Sequence, residues 1–365
     1  MNNKLIALAV AGAFAAPMAV QAAPTVYGIG QFEIQQTDSS ATAIDDVTET
    51  QDNKFGRFGI KGSEDLGGGL KALYTFEFGL DTTADNFDST TGKGGAVDTL
   101  FKRETSIGLK IGKAHEIRMG NIKSPYKYSG GVKYDSFVAT SLQAREGSEN
   151  TTGNIGGGMS GGTFGSGGFL ADSLSYKGKF KPVTVWLSYS PDETDKSSAA
   201  NATNGVAGAV TSLAVTAKVG AFHFGGATIT KDDCDSTVAN ALCANDVSEV
   251  TANKIFGSWS KGQHTVRAQF ENREVTAAAA GSVAAETDYS YLNYQFKMGK
   301  HLVDVGLGEK DIDSASANVD VEWTRLAYAY NFSKKTRVFA GVTSRDTDGT
   351  GTDTDVTTIG MTVKF

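Results

Sequence analysis

Apolar and polar residues alternate one for one along most of the chain, and the pattern runs to the last residue. In TTIGMTVKF, Ile359, Met361, Val363 and Phe365 take every second place, with Thr358, Gly360, Thr362 and Lys364 between them. Successive strand side chains point to opposite faces, so each such ribbon has one apolar and one polar side. In LKALYTFEFGL, Ala72, Tyr74, Phe76 and Phe78 oppose Lys71, Thr75 and Glu77. In TRLAYAYNF, Leu326, Tyr328, Tyr330 and Phe332 oppose Arg325, Ala327 and Ala329. No comparably sustained helical period competes.

Sixteen ribbons can be marked: 25–36, 57–63, 70–81, 103–111, 115–121, 173–178, 183–190, 213–219, 222–231, 254–260, 264–275, 288–298, 301–310, 321–332, 336–346 and 355–365. Their connections come in two sizes. Short ones are rich in Gly, Lys and Ser, such as EDLGGG, GKA, SKGQ, MGK and FSKK. Long ones are polar and acidic: 37–56, 82–102, 122–172, 191–212, 232–253, 276–287, 311–320 and 347–354. The two sizes alternate strictly. Antiparallel neighbours joined in this way gather the short turns at one end and the long loops at the other. The expected fold is therefore all-β: a 16-stranded antiparallel transmembrane β-barrel with short periplasmic turns and long extracellular loops. Sixteen strands leave an aqueous channel, whereas about eight would be filled by side chains.

The cost of placing charge in lipid decides which face is which. An Arg or Lys aimed at mid-bilayer lipid costs roughly 2–4 kcal/mol. Arg57, Arg118, Arg267, Arg273, Arg325 and Arg345 all fall opposite the apolar stripe, which puts them in the lumen. A soluble sandwich would bury that stripe instead, and its loops would be of mixed length at both ends.

The N-terminus carries Lys4, then an apolar run from Leu5 to Val20, closing on Val20-Gln21-Ala22. That is the form of a secretory signal peptide. The expected division is a leader over 1–22 and a barrel domain over 23–365. The formal charge of −7 argues against nucleic acid, which needs a basic footprint. In an exported protein, Cys234 and Cys243 read as a disulfide closing a surface loop rather than as a metal pair. The histidines, His115, His223, His264 and His301, each follow a short turn and share no compact site. No HExxH, CxxC or nucleophile-elbow pattern is present. No enzymatic activity and no cofactor are expected.

The run beginning at Arg57, RFGIKGSEDLGGGLKALYTFEFG, closely resembles the first hairpin of the general trimeric porins of Gram-negative bacteria, of the Neisseria and Burkholderia type. VYGIGQFE at 26–33 and the terminal Phe365 extend the resemblance. It implies a homotrimeric pore in the cell outer membrane for small hydrophilic solutes and ions. Its third outer loop, here 122–172, would fold into the lumen. The P-E-F-G-G type of motif common in that loop is missing, and GNIGGGMSGGTFGSGG at 153–168 reads as a flexible linker. The resemblance also makes Phe365 the signal read by the outer-membrane assembly machinery.

A pore of this kind works by size exclusion and by charge at its narrowest section. The candidates for a basic wall are Arg57, Lys61, Lys71, Arg118, Arg325 and Lys364. For the loop side they are Asp135, Arg145, Glu146 and Glu149. Acidic outer loops are screened beyond about 8–10 Å at physiological salt, so the arginine-rich neck should dominate and give weak anion preference. Two other readings stay open. One is a substrate-specific channel with Trp186 and Trp323 on a binding track; the other is an exported β-rich adhesin without a pore.

Overall fold

A computed structural model describes residues 23–40, 47–51, 55–80, 100–144, 168–191, 209–232, 247–277, 283–314, 318–348 and 353–365. The expected leader, the Cys234 and Cys243 pair, and Arg145, Glu146 and Glu149 lie outside these residues.

The strands are β1 (Thr25–Ser39), β2 (Val47–Gln51), β3 (Arg57–Gly67), β4 (Leu70–Leu80), β5 (Leu100–Ile111), β6 (His115–Lys123), β7 (Phe169–Phe180), β8 (Val183–Ser190) and β9 (Val210–Val219). The others are β10 (Phe222–Lys231), β11 (Val247–Lys261), β12 (His264–Ala277), β13 (Val283–Met298), β14 (His301–Ser314), β15 (Asn318–Asn331), β16 (Thr336–Thr347) and β17 (Thr354–Lys364). Two short helices, α1 (Pro125–Ser129) and α2 (Gly131–Tyr134), follow β6. From β3 onward every strand pairs antiparallel with the next, and β17 returns to β1, with Ile29 opposite Lys364 and Ser39 opposite Thr354. The sheet is closed.

Seventeen segments make sixteen wall positions, because β2 and β3 share one. Glu33 of β1 faces Gln51, and Ile29 faces Arg57, so four steps along β1 match six along its neighbour. β2 and β3 thus share one wall position, two residues out of step with β1. The first long connection thus begins later than the alternation suggests, and the third is shorter than expected, since β7 starts at Phe169.

Short turns close with glycine where the chain must turn with positive φ. Gly112, Gly220, Gly262 and Gly299 all lie between +56° and +62°, which costs a residue without Cβ little.

The two faces separate as the alternation requires. Phe32, Ile34, Ile107, Met119, Phe270, Leu292, Leu307, Leu326 and Ile359 are exposed. On the opposite parity, Gln31, Glu33, Gln35, Glu77, Gln269, Asn293, Asp304, Arg325 and Thr362 are buried. A single closed layer has one inside, and the buried polar face is that inside. Apolar residues outside and polar ones within reverse the arrangement of a water-soluble domain, and suit a wall surrounded by lipid.

Candidate functional site

The connection after β6 is where the barrel's inner face acquires structure. Ser124 caps α1, accepting from the Lys127 amide at 3.5 Å, and Pro125 opens the helix, where its missing N–H costs nothing. Gly130 then lets the backbone lie close to the wall: a Cβ there would stand 2.5 Å from Gln269 Oε1 and 2.7 Å from the Phe256 ring.

Four groups of side chains fasten this segment, Ser124–Ala144, to the polar face. At its centre, the Arg325 guanidinium donates to Asp135 Oδ1 at 3.2 Å, to Asp304 Oδ1 at 2.6 Å and to the Leu142 carbonyl. Asp135 in turn accepts from the Phe137 amide at 2.9 Å and the Ala144 amide at 2.7 Å, so one carboxylate closes the turn and bonds the wall. On β1, Glu33 accepts from the Ser141 amide at 3.0 Å and its hydroxyl at 2.7 Å, and from Thr358 at 3.0 Å. Near α1, the Tyr126 hydroxyl donates to Glu271 at 3.0 Å, and Lys254 lies 4.2 Å from the Tyr126 ring centre. At α2, Tyr134 and Lys133 meet the two ring nitrogens of His223 at 2.7 and 2.8 Å. Burial, reinforced by the Lys218 ammonium, lowers the Lys133 pKa. Phe137 packs edge-on to Phe339, with ring centres 6.1 Å apart. The segment's own partners named here come from β1, β10, β11, β12, β15 and β16, with Asp304 of β14 and Thr358 of β17 bracing Arg325 and Glu33.

The strands β3–β6 carry the other charge cluster. Arg103 pairs with Glu77 at 2.7 Å, and Arg57 reaches the same carboxylate at 3.7 Å. Lys123 pairs with Glu104 at 2.6 Å, and Arg118 with Glu116 at 2.5 Å. These four basic side chains are between 14% and 34% exposed, over Glu77 and Glu104 at 5% and 10%, so the cluster turns its cations toward water, and it holds one more cation than the three carboxylates.

The residues expected from the sequence separate into three places. Arg57 and Arg118 join the β3–β6 cluster. Lys61 lies beside them on β3, its ammonium 4.8 Å from the Tyr27 ring centre. Asp135 and Arg325 meet, but at 0% and 1% side-chain exposure they are sealed between segment and wall rather than facing open water. Lys71 sits beside a short turn, in an exposed pair with Asp65 at 3.2 Å, and Lys364 closes β17 on an exposed position opposite Ile29. Trp186 donates to Ser175 at 2.8 Å on β7, and Trp323 is buried on β15, seven strands further on.

Glu33, Arg103, Lys123 and Asp304 are the functional candidates that sequence reasoning passed over. Parity was the usable signal. Glu33 alternates with Phe32 and Ile34 in the same phase as the arginines alternate with their apolar neighbours.

A family model described as Gram-negative porin matches residues 7–350. Major outer membrane protein P.IB of Neisseria gonorrhoeae is 35% identical over 137 residues, which is 36% of this chain and 34% of that protein. Outer membrane porin protein 32 of Delftia acidovorans is 32% identical over 154 residues, 39% of this chain and 37% of that protein. The matched region thus spans little more than a third of either relative. Among solved structures, the anion-selective porin from Comamonas acidovorans shares the fold at a TM-score of 0.71 and 17% identity, over 94% of this chain and 99% of that one. The trimer form of OmpT from Vibrio cholerae does so at a TM-score of 0.62 and 15% identity, over 94% and 100%.

Proposed function

The chain belongs to the Gram-negative porin family of the outer membrane, and on that premise we propose that it forms a water-filled channel for passive diffusion of small hydrophilic solutes and ions. The observation that carries this reading is the Ser124–Ala144 segment, bonded across the polar face while a wet, charged cluster remains on β3–β6. A connection held in this way narrows the lumen without filling it. Solutes then pass between the segment and the β3–β6 side chains, sorted by size and by charge, with no covalent step.

The selectivity we propose is weak anion preference. Arg57, Arg103, Arg118 and Lys123 exceed Glu77, Glu104 and Glu116 by one charge. Confinement in a narrow, poorly screened passage gives that excess more weight than the acidic outer rim. Asp135 and Arg325 act by holding the segment in place. Self-association is part of the same proposal: the chain forms a homotrimer, inserted by the outer-membrane assembly machinery through the strand ending at Phe365.

Planar bilayers test the whole reading. The purified chain should give stepwise ion conductance, closing in threes, with a reversal potential in a KCl gradient that has the sign of chloride preference. Absence of conductance from folded protein would favour a barrel that is not a pore. A clear cation preference would overturn the selectivity alone.

A further inference from the structure

Three of the four histidines repeat one arrangement on the outside of the barrel. His115, His264 and His301 are the first residues of β6, β12 and β14, each directly after a short turn. Each has the parity of the exposed apolar face: His115 with Met119, His264 with Phe270, His301 with Val305. Each places Nδ1 2.8 Å from a tyrosine hydroxyl on the following strand, in Tyr176, Tyr294 and Tyr328 respectively. In each case the tyrosine lies two residues along from the position opposite the histidine. A second aromatic also meets each imidazole: Phe180 at 5.5 Å, Phe296 at 5.3 Å and Tyr330 at 5.1 Å between ring centres. His223 is the exception, since it follows Phe222 on the opposite parity and bonds α2 inside.

The chemistry of the unit is directional. With the phenol hydroxyl as donor to Nδ1, which is the direction this reading takes, the neutral imidazole's proton sits on Nε2, and the imidazolium carries one there too. Nε2 has no partner among the described residues in any of the three. In that tautomer a ring held by two aromatics presents an N–H donor at the edge of the apolar belt, where lipid headgroups begin. The turns beside these histidines supply cations: Lys113, Lys261 and Lys300 stand within three residues of His115, His264 and His301. Apart from Glu64 and Asp65 beside the first turn, no carboxylate lies in the short turns, although the chain as a whole is acidic.

We propose that the His115–Tyr176, His264–Tyr294 and His301–Tyr328 pairs are phosphate-binding positions for phospholipid headgroups of the leaflet at the short-turn end. Imidazole Nε2–H donates to a phosphodiester oxygen, the tyrosine sets the tautomer, and the turn lysine supplies long-range attraction. The inference rests on the outer-membrane placement, not on conductance, so its test is independent of whether the barrel is an open pore.

The test uses the full chain, folded in zwitterionic detergent, with its histidines labelled with nitrogen-15. Titration with dihexanoyl-phosphatidylglycerol should shift three of the four Nε2 resonances and leave that of His223 in place, and dihexanoylglycerol in its stead should shift none. Movement of none, or of all four, overturns the proposal. Equal shifts with inorganic phosphate at the same concentration overturn the assignment to lipid. In native mass spectrometry, the combined variant His115→Phe, His264→Phe, His301→Phe should retain at least about threefold less phosphatidylglycerol than wild type. Retention at the wild-type level would count against the three imidazoles as donors. The variant Tyr176→Phe, Tyr294→Phe, Tyr328→Phe keeps the rings and the imidazoles, and should fall between the two; equality with wild type would remove the tyrosines from the proposal.

Discussion

Asp135 and Arg325 stand 190 residues apart in the chain and 3.2 Å apart in space. Their contact ties the inner segment to β15, and Asp304 takes the other arm of the same guanidinium at 2.6 Å. Replacing Arg325 with Gln leaves two carboxylates buried without their cation. Breaking a buried pair from one side costs about 3–5 kcal/mol. The variant should unfold at lower temperature on heat-modifiability gels. Its single channels should be noisier and larger as the segment loosens. Arg325→Lys should recover only part of this, because a point ammonium cannot match the planar fork that spans both carboxylates. Wild-type noise in Arg325→Gln would show that the other anchors suffice.

Glu33 holds the far end of the segment by accepting from both the amide and the hydroxyl of Ser141. Glu33→Gln offers an NH2 group where an acceptor is needed, and strands a buried donor at about 1–3 kcal/mol. The loss should be shared with Ser141→Ala: in a double-mutant cycle on thermal stability the two changes should be clearly non-additive. Simple additivity would mean that Glu33 matters for the β1–β17 seam, through Thr358, and not for the segment.

The barrel was legible because its two faces meet different solvents, and a period of two records that contrast residue by residue. The ribbons in LKALYTFEFGL and TRLAYAYNF appear in the structure as β4 and β15, with the expected residues outward. Where the contrast fades, so did the reading. In β7, Phe169 and Leu170 are buried under the inner segment, so the strand extends to a point where its flanks no longer alternate with water. Lys71 illustrates a second limit. It shares the parity of Thr75 and Glu77, but parity says nothing of height along the barrel, and Lys71 lies at a turn. Asp135 and Arg325 show a third. A charge on the wet parity is not thereby wet, since a loop from elsewhere in the chain can cover it, and only long-range contacts reveal that.

Charge selectivity should respond to the β3–β6 cluster before any other group. Arg103→Gln with Arg118→Gln removes two cations and leaves Glu77, Glu104 and Glu116 in place, turning an excess of one positive charge into one negative charge. The zero-current potential in a KCl gradient should move from the chloride side toward the potassium side, with conductance changed much less. Lys71→Gln serves as the comparison, because its exposed pair with Asp65 is screened and near the rim. A shift of equal size from Lys71→Gln would place the selecting section at the short-turn mouth.

The barrel closes where Gly28 meets Phe365. The Gly28 amide donates to the Phe365 carbonyl at 3.3 Å, and the Phe365 amide donates back to Gly28 at 3.0 Å. The aromatic ring lies over the glycine so closely that a Cβ on Gly28 would stand 2.0 Å from ring carbon Cζ. Gly28→Val must therefore expel the ring, and deletion of Phe365 removes the ring together with the last two seam bonds. Backbone groups unpaired at a lipid-exposed edge are costly. Both changes should lower the amount of heat-modifiable folded protein recovered from outer membranes several-fold. The molecules that do fold should conduct normally: Gly28 pairs with Phe58, next to Arg57, but Gly28 and Phe365 have the parity of the exposed Val26, Phe32 and Val363 and face away from the lumen. Gly28→Val combined with Phe365→Ala should then recover more folded protein than Gly28→Val alone, because the smaller terminal side chain leaves room for the valine. No recovery in that pair would mean that Gly28 serves the seam through its backbone alone, and not as the seat of the terminal ring.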